Sequence, residues 1–346
     1  MTPLFKVMLL SCIVVNGLSI KKEECVPCDT LFSKLKPSGE HGKFSQEIVM
    51  TERGEPKTGT TIQYVRATAA LVHACDYLKE LFGVQSCTFK DEGSFSSIIF
   101  EPEIGRSEAK CPCENIEKVS ISIGEHSKHR IPVVDNCPFS HVNDIDFRFN
   151  DEDTNICTFA DGTQVKNLNE LWTCVHESNC KINDKSTQMA VFRDPRTSIV
   201  STFYYIKKRK DWDIGDLDTF VMNKLELMCQ WLVIRYILFT GIMADQSVEF
   251  WYDEITEDLL NWNYHWFYTV GLQLPYHIVN DITKTNYSSH IDFHPGEHNV
   301  RSNSVRRFED EVSEHIVEFS NEVLRKWLPP VLLERFGVTP VAMEHK

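Results

Sequence analysis

Apolar and polar positions along this chain fall into blocks that read as strands and helices taking turns. A short apolar run at 48–50 (Ile48, Val49, Met50) stops at a polar turn, and residues 61–81 then place Ile62, Val65, Ala69 and Val72 on one helical face. Residues 95–100 and 118–123 read as strands, the second by alternation. A buried-strand run at 188–192 leads into a helix at 197–206, a long apolar helix at 217–239 and a strand at 247–252. The last helix, 308–327, carries Phe308, Val312, Ile316, Phe319, Val323 and Trp327 at three- and four-residue steps, which is a core stripe. The run at 217–239 approaches membrane-spanning apolar density, but Glu226 and Arg235 interrupt it, which predicts a core helix.

Strands alternating with helices imply βαβ units, hence an α/β fold with a central, mainly parallel sheet flanked by helices and a ligand outside the strands' carboxyl ends. Between 132 and 184 the pattern breaks down, which predicts an irregular, disulfide-tethered insertion. Its acidic run fails as an EF-hand. Counted from Asp151, position six is Ile156 rather than Gly, and position twelve is Gly162 rather than Glu. With no internal repeat or linker, the expectation is one domain at 45–336, after a polar, cysteine-marked strap at 20–44 and before a tail at 337–346.

Length and composition narrow the classes. The chain has 346 residues, 42% of them hydrophobic, enough for a full core. A net charge of −14 argues against a protein that coats nucleic acid, so no nucleic-acid partner is expected. Lys6, the apolar residues 7–15 and the small residues at 16–19 have the order of a secretory signal, expected at 1–19. That address is the secretory pathway, Golgi lumen or outside the cell, with a membrane partner only if the segment is retained as an anchor. Twelve cysteines and the sequon Asn286-Tyr287-Ser288 agree with an oxidising route. Cys25/Cys28 and Cys111/Cys113 lack a second pair at zinc spacing and are expected in disulfides; Cys229, in an apolar helical run, is expected to stay out of them.

The chemistry gathers at residues 56–61, Pro56-Lys57-Thr58-Gly59-Thr60-Thr61, between a strand and a helix. A strand, a phosphate-sized loop and a helix N-terminus make an anion cradle. Gly59 allows close backbone approach, Lys57 adds a point charge, and Thr58, Thr60 and Thr61 add hydroxyl donors. Walker A spacing fails, because Thr60 occupies the Lys position and Lys57 precedes the second Gly. The motif instead resembles the 5′-phosphosulfate loop of sulfotransferases that use 3′-phosphoadenosine 5′-phosphosulfate (PAPS). A second segment, 191–205 (VFRDPRTSIVSTFYY), is similar to that family's 3′-phosphate element, in which an Arg and a Ser eight residues later hold the phosphate. Arg193 and Ser201 have that separation. Both loops follow predicted strands and should face one edge of the sheet. Further on, 250–255 resembles the family's Tyr-Glu-Asp-Leu element and 270–275 its Phe-Leu-Gly segment. At 301–308 only Arg301 and Phe308 match the family's Arg-Lys-Gly stretch. Arg301 is the implied further 3′-phosphate ligand; Arg306 and Arg307 are weaker candidates.

The resemblance implies a P-loop-like nucleotide-binding fold and transfer of a sulfuryl group from PAPS, the co-substrate, to an acceptor hydroxyl, with no metal. Lys57 and the threonines would neutralise the leaving phosphate. A base must receive the acceptor proton. After the strand at 118–123 stand Glu125, His126 and His129; His126 is the first choice, and the other two stay open. His290, Asp292, His294, Glu297 and His298 are expected to form a polar loop rather than a metal site. Carbohydrate is the leading acceptor class, ahead of tyrosine and small molecules. The alternative is a secreted, non-catalytic binding protein retaining the fold, motivated by Glu55 beside the cradle, where a carboxylate repels an anion unless paired.

Overall fold

The computed structural model describes residues 27–38, 42–54, 59–92, 95–102, 113, 115–124, 133–134, 163, 165–177, 181–182, 186–208, 214–284 and 308–340. A short helix α1 (Cys28–Leu31) and strand β1 (Lys36–Ser38) lead into the long strand β2 (Lys43–Gly54) and helix α2 (Thr60–Phe82). Strands β3 (Cys87–Asp91), β4 (Phe95–Phe100) and β5 (Ile116–Gly124) follow. Next come β6 (Val133–Val134), α3 (Leu168–Glu177), β7 (Lys181–Ile182), β8 (Thr187–Phe192), α4 (Pro195–Lys208) and α5 (Leu217–Ile237). A π-type turn (Leu238–Ile242) extends α5 towards β9 (Ser247–Trp251). The remainder is helical: α6 (Tyr252–Glu257), α7 (Leu259–Thr269), α8 (Tyr276–Lys284), α9 (Phe308–Glu311), α10 (Glu314–Trp327) and α11 (Pro330–Arg335).

The main sheet has seven strands in the order β3-β4-β5-β2-β8-β9, with β1 paired to β2. It is mixed, not mainly parallel. β2 runs parallel to β5 and β8, and β8 parallel to β9, but β1–β2, β3–β4 and β4–β5 are antiparallel. Residues 92–94 are the reason on one side. So short a connection can close a hairpin, whereas parallel neighbours need a crossover. The parallel block β5-β2-β8-β9 still brings four carboxyl ends to one edge. The chain fills the β5 side of β2 first and then crosses to β8, so the carboxyl end of β2 lies where the strand order reverses.

Alternation within the strands divides the core in two. Met50, Met189 and Phe250 join the cluster under α2, α7 and α8, while Ala190, Phe192 and Trp251 join the one under α4, α5 and α10. α2 does not bury the face expected from its larger aliphatics. Ile62, Val65 and Val72 are half-buried, and Tyr64, Ala67, Ala70, Leu71, Ala74 and Leu78 form the contact. Small side chains let this helix lie close on the sheet. α5 and its π-type turn, Leu217–Ile242, are long and apolar enough to cross a membrane, yet most of that window is buried against α3, α4 and α10. Arg235 is buried among them at 2% exposure.

The expected single helix at 308–327 is two. Val312 and Ser313 interrupt it, and Ser313 turns its hydroxyl to Asp218 near the start of α5 and its extended backbone to open α10. The stripe nonetheless stays on one side, with Phe308, Ile316, Val323 and Trp327 buried. Within residues 132–184, expected to be irregular, α3 is amphipathic and seats Leu171, Cys174 and Val175 in the core.

Disulfides join Cys28 to Cys113 and Cys75 to Cys87, and Cys174 is also disulfide-bonded. Cys229 is a buried thiol in α5, as expected. Such bonds fit an oxidising compartment. The signal at 1–19, the sequon, Glu55 and the acidic run at 143–153 lie outside the described residues.

Candidate anion-binding site

Three strand ends meet at the edge where the sheet reverses. Gly54 of β2 is level with Val191 of β8, which is level with Phe250 of β9. Chain leaving β8 begins with Arg193 and chain leaving β9 with Tyr252; α2, which follows β2, is entered through Gly59. Gly59 and Arg193 thus follow adjacent parallel strands whose carboxyl ends lie at one edge.

Gly59 is the N-cap of α2 and has a φ of 105°, which side chains with a β-carbon avoid. A β-carbon there would lie 2.2 Å from Cδ2 of Tyr252 and 2.8 Å from Cε2. The Tyr252 ring thus packs against the start of α2. The Arg193 guanidinium lies over the same ring, its Cζ 4.0 Å from the ring centroid. One aromatic ring therefore touches both the start of α2 and the arginine. Gln63 N–H donates to Gly59 O as the first helical bond, so the N–H groups of the first turn point out towards this edge. An anion there meets the positive end of a 23-residue helix, worth about 0.3–1 kcal/mol at an exposed site.

Arg193 is held in place from behind. Its Nε donates to Thr197 Oγ1 at 2.9 Å, and Thr197 donates in turn to Asp194 O at 3.0 Å. Burial pulls the guanidinium below its ordinary value, against the pull of Tyr252 and Asp194. It remains cationic, and a desolvated cation gains more from an anion than a hydrated one does. Ser201 is one helical turn beyond Thr197, on the face of α4 that supports Arg193.

The second arginine of the RDPR turn does other work. Arg196 donates to Asp194, to Asn321 of α10 at 3.1 Å and to the carbonyl of Phe336 at 2.6 Å. Burial works against its charge, but the Asp194 carboxylate outweighs that and holds it above its ordinary value. Arg196 therefore clamps the start of α4 to the C-terminal helices, leaving Arg193 as the arginine directed at the edge.

Of the residues expected in the site, Gly59, Arg193 and Ser201 are described, and Thr60 and Thr61 are the first two residues of α2. Lys57, Thr58, His126 and Arg301 lie outside the described residues, as do Glu125, His129, Arg306, Arg307 and the cluster from His290 to His298. Among the described residues there is no group of three metal-ligating side chains. Tyr252 was read as the end of a strand and as part of the segment resembling the Tyr-Glu-Asp-Leu element, but not as a contact of Gly59 and Arg193. No family model matches the chain, and no curated protein or solved structure matches it.

Proposed function

We propose that the protein is a PAPS-dependent sulfotransferase of P-loop-like plan, acting on an acceptor hydroxyl, with carbohydrate the first acceptor class to try. What carries the reading is one juxtaposition. The N-terminus of α2 and the Arg193 guanidinium both approach the Tyr252 ring at the carboxyl ends of adjacent parallel strands. Two cationic elements that meet at one ring suit a nucleotide bearing phosphate-type groups at both its 3′ and 5′ ends. In the transfer, the bond between sulfur and the 5′-phosphate oxygen breaks as the acceptor oxygen bonds to sulfur. The acceptor proton passes to the base, for which His126 is the first choice. The departing phosphate's charge falls to Lys57, the threonines and the α2 N–H groups. Nothing in this scheme needs a metal.

Calorimetric titration with 3′-phosphoadenosine 5′-phosphate is the direct test. The wild type should bind, and Arg193→Ala should weaken binding roughly ten- to a hundredfold, the loss of a charged hydrogen bond of ~1.5–3 kcal/mol. Lys57→Ala should weaken it as well. No binding by the wild type would sink the nucleotide reading. Binding without transfer to glycans, tyrosine peptides or phenols would favour a non-catalytic binding protein of the same fold.

A further inference from the structure

The helices that start at this edge share an internal feature. Gln63 is the fourth residue of α2 and is wholly shielded from solvent, at 0% exposure. Among the described residues, neither its Nε2 nor its Oε1 has a hydrogen-bond partner. Ser198 occupies the same place in α4, the fourth helical residue, also buried and with an unpartnered Oγ. On the same helix, Tyr64 and Thr68 both reach Ser96 Oγ, at 2.9 Å and 3.3 Å. For Gln63 both ends of the side-chain amide lack such a partner.

An unmet buried amide is costly, and native interiors rarely keep one without a use. Helical side chains lean towards the N-terminus of their own helix. From the fourth position, Gln63 therefore leans towards the first turn of α2, where the unpaired N–H groups lie. The two observations are independent. One is a helix N-terminus and a cation at a strand edge; the other is a buried amide in the first turn of that helix whose donors lack acceptors.

We infer that Gln63 is a binding residue of the anion site, its Nε2 donating to an oxygen of the phosphate-type group that seats on the N-terminus of α2. The inference rests on the nucleotide reading for its first probe, and it adds to Lys57, the threonines and Arg193 a residue that no loop motif contains. It carries a signature that a structural glutamine would not show. Gln63→Leu, similar in volume and apolar, should melt at or above the wild-type temperature while anion affinity falls.

Two probes separate this inference from the reading it rests on: 3′-phosphoadenosine 5′-phosphate and inorganic pyrophosphate, each titrated into the full chain by calorimetry, with melting followed in parallel. Gln63→Leu should bind both at least about tenfold more weakly than the wild type. Wild-type affinity in Gln63→Leu overturns the inference. Should the leucine disturb packing, Gln63→Asn decides. It keeps the amide but withdraws it by one methylene, so it should fold and bind weakly, and full affinity would overturn the inference. If the wild type binds pyrophosphate but not the nucleotide, the nucleotide reading fails and the pyrophosphate arm still judges Gln63. If it binds neither, both fall.

Discussion

Gly59→Ala is the sharpest perturbation of the site, because one methyl group meets two obstacles at once. The first is backbone conformation. At a φ of 105°, an L-residue with a β-carbon is disfavoured by about 1–2 kcal/mol. The second is the Tyr252 ring, which a β-carbon would approach to 2.2 Å, well inside any real contact. Either the ring or the start of α2 must move. If the ring moves, its stacking with Arg193 goes with it, a further ~0.5–2 kcal/mol. The total is roughly 2–4 kcal/mol, read as a lower melting temperature together with weaker binding of 3′-phosphoadenosine 5′-phosphate. A double-mutant cycle with Tyr252→Ala separates the parts. Without the ring the collision vanishes and only the conformational cost remains, so the pair should be less than additive by about 1 kcal/mol or more. If Gly59→Ala melts and binds as the wild type does, or if the two changes are additive, then Tyr252 does not brace the cradle.

Two other expectations concern the frame. Replacing Cys28 and Cys113 by serine opens a loop spanning 85 residues, and chain entropy puts the loss at about 4–5 kcal/mol, against about 3 for Cys75 and Cys87 with a separation of 12; equal effects in urea unfolding would refute that ordering. Burial raises the Glu249 carboxyl above its ordinary 4.5, although Trp251 and Arg335 draw it down. Stability from this group is therefore present below that value and is lost as pH rises through the folded value. Gln can still accept from the Trp251 indole, so Glu249→Gln should match the wild type near ~pH 4 and melt higher at neutral pH. A variant that melts lower at neutral pH would contradict this.

The strands and long helices were legible because their residues repeat every two or every three to four positions, and burial follows that repeat. Strand direction was not. β3, with Thr88, Lys90 and Asp91 exposed, lacks an apolar signal of its own, so the hairpin that makes the sheet mixed was invisible. The break at Ser313 depends on Asp218, distant in sequence, and no local pattern could announce it. The small residues of α2 hid its true contact face, since hydropathy gives Ala67, Ala70 and Ala74 less weight than Ile62 or Val72. At the site, charge and loop spacing pointed to Arg193 and Gly59. The contacts of Tyr252 with Gly59 and Arg193, and the burial of Gln63, come from what packs across the sheet edge and inside the fold, which a linear reading does not contain.

The strap that opens the folded part of the chain closes onto residues made long after it. Lys34 Nζ donates to the carbonyl of Thr269, 235 positions away in sequence, Gln46 Nε2 donates to Val270 O, and Phe32 pairs with Leu272. Ribosomes add about 5–20 residues per second, so these early segments wait roughly 10–50 s for their partners to emerge. For the first part of that interval, until residues 187–192 are made, β2 also lacks its neighbour β8. Production of this protein should therefore be limited by protection during synthesis, and Phe32 and Gln46 are the positions where a defect would first appear as lost yield rather than lost activity.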